Sequence, residues 1–372
     1  MIRTGLIVVW ALLASTAWAE QPVATSNSHA AALKKLRSAI EAEVESKQLP
    51  AFSIAVVDGD QVVWAEGFGF QDAQRKTPIT ADTIYRVGSV SKLFTDIAAM
   101  QLVEAGRVEL DAPIQNVLPS FQPKNSFGTA ITLRQLMSHR SGLVREPPVG
   151  HYFDPLEPSL SEAVASLNQT SLVYPPNTRT KYSNAAIAVV GAVVEALTGT
   201  AYDQRIEQTI LKPLGMTSST FSRTAEVQRR LAPATMWTLE GRRFPAPPFM
   251  IGTAPAGNLY ASVNDLARFI RCLHNHGRYE QGRILTPESL TEMMTPGKEP
   301  DGKLQTFGFG FHVTELDGER KIGHGGAVYG CATQVESLPD HQLGVAAVAA
   351  LDCANGTVER LANYALLLLL AE

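Results

Sequence analysis

Apolar residues recur along this chain at two periods, and the switches between them mark out its elements. Leu33, Leu36, Ile40 and Val44 share one face of a helix that follows a polar lead-in at 25–29. Residues 53–57 and 61–65 are apolar and β-prone, and Asp58-Gly59 joins them as a hairpin. A helical run opens at Ser89, where Val90, Leu93, Phe94, Ile97, Met100 and the Leu102-Val103 pair keep one face apolar until Gly106 stops it. Helical patterns and proline-rich loops continue to about Met250. Another helix follows Gly257, with Ser262 and Asp265 spaced as a capping box. Three β segments come next: 307–315, then 320–324 running into 331–338, then 344–351. Val358, Leu361, Ala362, Ala365, Leu366 and Leu369 form the buried face of a C-terminal helix.

This order predicts an α+β fold. Segments 30–85 and 255–372 share one antiparallel sheet flanked by helices, and 86–254 is inserted as a mainly helical domain. Residues 1–19 read as a secretory signal: Arg3, an apolar stretch from Leu6 to Ala14, then Ala17-Trp18-Ala19 before a cut. The stretch is too short to span a bilayer, as is the run Leu366–Leu370, so the expectation is a periplasmic or secreted protein with no membrane span. The net charge of −4, without any basic block, argues against a nucleic-acid partner. Cys272, Cys331 and Cys353 have no metal-ligand spacing and read as packing residues. A turn near 339–342 would set Cys331 opposite Ala350, leaving Cys353 out of register for a bridge. His274 ends an apolar helix and reads as a cationic C-terminal cap, so neither a metal nor a cofactor is called for.

The candidate chemistry starts at Ser89-Val90-Ser91-Lys92. Positions i and i+3 of a helix lie one above the other, so the Lys92 amine reaches the Ser89 hydroxyl. A serine needs such a neighbouring base to act as a nucleophile. By itself the spacing marks nothing more than a solvated helix face. Tyr182-Ser183-Asn184 and His324-Gly325-Gly326 change that, because the three motifs together supply a hydroxyl, an amine, a phenol and a glycine-bearing strand.

In that order the motifs resemble those of the penicillin-recognising serine hydrolases. The chain is most similar to the class C β-lactamase-like branch, with its family VIII carboxylesterases, D-aminopeptidases and D-Ala-D-Ala carboxypeptidases. Residues 131–143, 175–181 before Tyr182, and 256–262 running to Phe269 also resemble segments of that branch. The resemblance implies the β-lactamase/transpeptidase-like architecture, with the active site in the cleft between the two sub-domains. Ser89 is then the nucleophile, and Lys92 and Tyr182 both remain candidates for its base, as a coupled pair. Asn184 offers an amide to Lys92 and to a substrate carbonyl. The resemblance places the oxyanion donors on the Ser89 and Ala327 N–H groups, with Gly325 and Gly326 letting the strand approach the substrate.

His324 departs from the β-lactamases, which carry lysine there. A mostly neutral imidazole donates at best a hydrogen bond, so recognition of a β-lactam carboxylate is weakened. Small esters, or amides and short peptides of D-amino acids, become the favoured substrates. A β-lactamase or carboxypeptidase is the near alternative, and a non-turnover binder of penicillin or peptidoglycan is the alternative of another class. Loops 146–158 and 244–255, with Tyr152, Phe153, Phe244 and Phe249, are candidate pocket walls or plain structural connections.

Overall fold

The computed structural model describes residues 29–72, 74, 76–299 and 302–372, so the signal segment lies outside the described residues. Its principal elements are helix α1 (Ala30–Lys47), strands β1 (Ala51–Asp58) and β2 (Gln61–Gly69), and helices α2 (Ser91–Glu104), α3 (Asn184–Thr198) and α4 (Val263–His274). Strands β3 (His312–Leu316), β4 (Glu319–Val328), β5 (Cys331–Leu338) and β6 (Leu343–Ala349) and helix α5 (Asn355–Leu370) complete the chain. The strands form one antiparallel sheet in the order β2-β1-β6-β5-β4-β3, so the first hairpin and the last strands meet at β1 and β6.

Alternation along the central strands explains why both faces are covered. Phe52, Ile54 and Val56 of β1, with Val345, Ala347 and Ala349 of β6, bury one face against α1 and α5. Ala55 and Val57 of β1, with Ala346 and Val348 of β6, turn to the other face, where α4 and α2 pack. The apolar core on that second face continues without a break into the helical region through α2 and α3. Helix α2 is therefore buried almost all round: besides its apolar stripe, Ser91, Lys92, Thr95 and Asp96 are enclosed. A one-sided apolar pattern does not reveal that.

Helix α3 starts where the Ser183 hydroxyl accepts the Ala186 N–H at 2.9 Å, and it ends at Gly199 in the left-handed region. The β5–β6 register runs to Ala332↔Ala349, in line with the Cys331–Ala350 alignment read from the sequence. All three thiols are free; Cys272 and Cys331 are buried, whereas Cys353 is exposed rather than packed.

Four expectations change in detail. Residues 307–311 are not strand, since Gly308 and the left-handed Gly310 break the run while Phe309 and Phe311 are buried as loop residues. The segment 320–338 is a hairpin, turned at Tyr329-Gly330 with both residues at positive φ. At α4, Ser262 caps the Asp265 N–H, but the Asp265 carboxylate leaves the box to accept from Ser218 and Ser219 and to pair with Arg268. His274 is not a cationic cap. Its ring is buried between the Gly59 carbonyl at 2.9 Å and the Ser337 hydroxyl at 2.8 Å, and burial lowers its pKa, so it ties the β1–β2 turn to β5 as a neutral group.

Candidate active site

The crevice is built where the start of α2 meets β4. Gly88 has φ +54, and a Cβ there would lie 2.8 Å from the Ala327 nitrogen, so a side chain at residue 88 would hold the two backbones apart. On the strand side, a Cβ on Gly326 would sit 2.0 Å from the Val87 carbonyl oxygen. Strand β4 pairs with β3 only up to Gly323, so from His324 onward its outer edge has no strand neighbour among the described residues. The Ser89 and Ala327 backbones thus face one another across a narrow gap beside an open sheet edge.

Lys92 is fully buried, and its Nζ donates to Ser89 Oγ at 3.0 Å and to the Ala256 carbonyl at 2.7 Å. Burial is the main reason its pKa falls to about 7; Arg145 pushes the same way, while Glu146 opposes, as does Asp96 only to the extent that it is ionised. Tyr182, at the entry to α3, hydrogen-bonds Ser89, and its ring centroid lies 4.8 Å from Lys92 Nζ. Burial raises the phenol pKa further above its ordinary value. Hydroxyl, amine and phenol therefore converge.

Asn184 sits in the same crevice but does not hold Lys92. Its Nδ2 donates to Glu146 Oε1 at 2.5 Å, leaving Oδ1 buried and without a partner among the described residues. His324 is buried, and its Nδ1 lies 2.5 Å from the Gly325 carbonyl. A carbonyl only accepts, so Nδ1 carries the proton and Nε2 is left as a bare acceptor without a partner. Burial and the nearby Lys92 lower its pKa to about 3. The donor role anticipated for His324 towards substrate is thus replaced: its N–H is used within the strand, and it offers a lone pair instead. Gly325, on the strand's other face, lies over Gln334, whose Oε1 would be 2.6 Å from a Cβ there.

Several neighbours were not singled out from the sequence. His139, at φ +58, places its ring 4.4 Å from that of Tyr182, and its Nδ1 accepts the Ser183 N–H at 3.3 Å. Burial keeps it neutral, and its Nε2–H is enclosed without a partner among the described residues. Asp96, one turn beyond Lys92, is fully enclosed with neither oxygen hydrogen-bonded among the described residues, and burial drives its carboxyl pKa well up. Arg145 stands over the Tyr182 ring at 5.3 Å. Phe307 closes against His139 and Tyr182, with centroids at 5.0 and 5.9 Å. Only His139 had a signal, since it lies inside the 131–143 stretch that carried a resemblance.

Of the predicted walls, Tyr152 docks on the strand turn: its hydroxyl accepts the Tyr329 N–H at 3.0 Å and reaches the Ala327 carbonyl at 3.4 Å. Phe249 packs on Tyr329 at 4.7 Å, while Phe153 and Phe244 are exposed. Among the described residues, no group of three or more His, Cys, Asp or Glu side chains is placed to hold a metal ion. No single described helix is long and apolar enough to cross a membrane.

A model of the Beta-lactamase family matches residues 36–370. The chain belongs to the Beta-lactamase family. Among its family relatives is penicillin-binding protein 4 of Amycolatopsis lactamdurans, 29% identical, with 78% of each chain covered. Beta-lactamase-like protein 2 of Dictyostelium discoideum is 30% identical over 71% of this chain, which spans about half (49%) of that protein's length. Among solved structures, an octameric penicillin-binding protein homologue from Pyrococcus abyssi superposes with TM-score 0.80 at 29% identity, covering 91% of this chain and 78% of that one. EstCE1, a hydrolase with promiscuous acyltransferase activity, shares the fold at TM-score 0.73 and 21% identity, covering 91% of this chain and 98% of that one. The serine β-lactamase and penicillin-binding-protein superfamily to which this Beta-lactamase-family chain belongs supports a hydrolase.

Proposed function

We propose that this protein is a secreted serine hydrolase that forms an acyl-enzyme at Ser89 and acts on ester bonds or on amide bonds of D-amino acids and their peptides. The observation that carries the reading is the 3.0 Å contact between Ser89 and an enclosed lysine whose pKa is about 7. A lysine in that state is half neutral at neutral pH and accepts the serine proton, whereas a phenol pushed above its ordinary value does not. Lys92 is therefore the base, and Tyr182 stays protonated as a relay.

In acylation the Ser89 proton passes to Lys92 Nζ as Oγ bonds to the carbonyl carbon. The oxyanion is held by the Ser89 and Ala327 N–H groups. Collapse breaks the bond to the leaving group, which takes the proton back from Lys92 through the Tyr182 hydroxyl. Water then hydrolyses the acyl ester and restores Ser89. The unpartnered Asn184 Oδ1 is free to accept an N–H from an amide-bearing substrate. Enclosed and uncharged, His324 gives a β-lactam carboxylate no cation from the strand, which weakens its recognition at that position.

The test is a substrate panel (short p-nitrophenyl esters, nitrocefin, a D-Ala-D-Ala peptide and D-amino-acid amides) on wild type and Ser89→Ala, with fluorophosphonate labelling of both. Turnover and labelling that both vanish with the hydroxyl support the reading. Labelling that persists on another residue overturns the nucleophile, and one stoichiometric burst without turnover makes the protein a binder.

A further inference from the structure

Three of the basic side chains around Ser89 are enclosed. Lys92 spends its amine on Ser89 and Ala256, and His139 and His324 are neutral. Arg145 differs. Its side chain is 62% exposed, and its guanidinium lies over the ring of Tyr182, whose hydroxyl bonds Ser89.

Its position is fixed by backbone rather than by its own charge. The Arg145 carbonyl accepts the Asn184 and Ala185 N–H groups at 2.8 and 3.1 Å, so the residue is locked onto the first turn of α3 beside Asn184. Its one ion pair is loose: Nε lies 3.7 Å from Glu146 Oε1, and that oxygen is already held by Asn184 at 2.5 Å. Among the described residues the guanidinium has no hydrogen-bond partner. An exposed arginine with its donor fork free, at the mouth of an acyl-transfer crevice, matches the bidentate geometry of a carboxylate. The side chains that face it are Glu146 on the same loop, Tyr182 and Asn184 at the head of α3, His139 behind the phenol and Lys92 below it. Of these, Glu146 alone brings negative charge, and its hydrogen bond turns that charge toward Asn184.

We infer that Arg145 is the carboxylate receptor of this site, and that the preferred substrates are esters or amides carrying a carboxylate a few bonds from the scissile carbonyl. The inference rests on the acyl-enzyme reading for the location of the reacting carbonyl, and it assigns the anion to the helix side of the crevice rather than to the strand.

The experiment compares the p-nitrophenyl monoester of glutarate with p-nitrophenyl valerate, which share a leaving group, on wild type, Arg145→Gln and Arg145→Lys. In parallel, a depsipeptide ending in a free D-lactate carboxylate is compared with its methyl ester. Loss of the guanidinium should lower the charged-to-neutral ratio of kcat/KM about ten- to hundredfold in at least one pair, mostly through KM, with lysine restoring part of it. An unchanged ratio in both pairs overturns the assignment, as does equal loss on charged and neutral partners.

Failure of the acyl-enzyme reading looks different: wild type would then turn over none of the four compounds in a Ser89-dependent way. In that event, calorimetric titration of glutarate and N-acetyl-D-alanine into wild type and Arg145→Gln decides. Weakening of either ligand by tenfold or more supports the receptor, and no difference for both overturns it.

Discussion

If Lys92 is the base, the pH dependence of acylation belongs to its amine, and two neighbours should move it in opposite directions. A pKa of about 7 leaves roughly half of the amine neutral at pH 7, roughly 9% at pH 6 and roughly 90% at pH 8. The acid limb of kcat/KM for a neutral ester should therefore bend near pH 7. Glu146 stabilises the ammonium, so Glu146→Gln removes a negative charge while keeping an oxygen to accept from Asn184. The Lys92 pKa falls further and the limb moves to lower pH. Glu146 is 25% exposed, so water screens part of its charge and the shift should be about one unit, the low end for close charge pairs. One unit is about 1.4 kcal/mol. At pH 6 the variant would then be half active relative to its own plateau, about five times the wild-type fraction. Arg145→Gln removes a positive neighbour and moves the limb up, by less than one unit because the side chain is mostly in solvent. Burial also raises the Glu146 carboxyl, so the wild-type limb belongs to a linked pair and is broader than one proton. The assay is initial-rate hydrolysis of p-nitrophenyl butyrate across the range at constant ionic strength, read at the isosbestic wavelength of the product. A limb that stays put in both variants, or moves the same way in both, refutes Lys92 as the titrating base.

Gly88→Ala should cost at least about 1–2 kcal/mol for a left-handed non-glycine residue, and its Cβ would force Ala327 away from Ser89. Urea denaturation should show that loss, and kcat should fall by about 100-fold or more as one oxyanion donor is displaced; a normal rate would remove Ala327 from the site. Asp96→Asn is isosteric with a protonated acid, so the limb near pH 7 should not move with it; a shift of a full unit would mean that the carboxyl is charged beside Lys92. His29 is enclosed between Asp58 and Glu372. Burial alone lowers its pKa, but the hydrogen bonds and charges of these two partners outweigh that and raise it. Its contribution is full below the unfolded imidazole value near 6.5 and is lost as pH rises through the raised folded value. His29→Gln should thus lower Tm by a few degrees at about pH 5.5, for a loss of about 1 kcal/mol, and hardly at all at about pH 9. An equal effect at both pH values would make the residue a packing element only.

What the sequence revealed about the fold came from periodicity. The apolar, β-prone run at 53–57 and the spacing of Val358, Leu361 and Ala365 both carry straight into the sheet and α5. What stayed hidden was enclosure by distant elements. Periodicity marks the face of α2 that is apolar, but Lys92 and Asp96 are buried because the 254–257 turn and the 308–310 loop close over the remaining face, as the Ala256 carbonyl on Lys92 and the approach of Gly310 to Asp96 attest. The turn at Tyr329-Gly330 was missed because Tyr329, an aromatic residue with strand propensity, is held at positive φ by its contacts with Tyr152 and Phe249. Within the site, the serine, lysine and phenol were legible because motif spacing encodes them. His139, Arg145 and Glu146 were not, since their roles depend on what their backbone and side chains meet across the crevice.

Enclosure also settles which charges matter. Desolvation holds His139 and His324 neutral, drives the Asp96 carboxyl towards its protonated form, leaves the Tyr182 phenol un-ionised, and brings Lys92 to the point of losing its proton. Among the described residues, the charges that act on Lys92 from outside its own helix are those of Arg145 and Glu146, adjacent on a single loop. Reactivity and selectivity are therefore coupled through that loop: a substitution chosen to change which anion is bound must also shift the pH at which Ser89 is activated. A carboxylate seated on Arg145 brings a second negative charge near Lys92 and raises its pKa in the enzyme–substrate complex, so the acid limb of kcat for the glutarate monoester should lie at higher pH than that for the valerate ester in the same protein. If the two limbs coincide, the bound anion is not near the base.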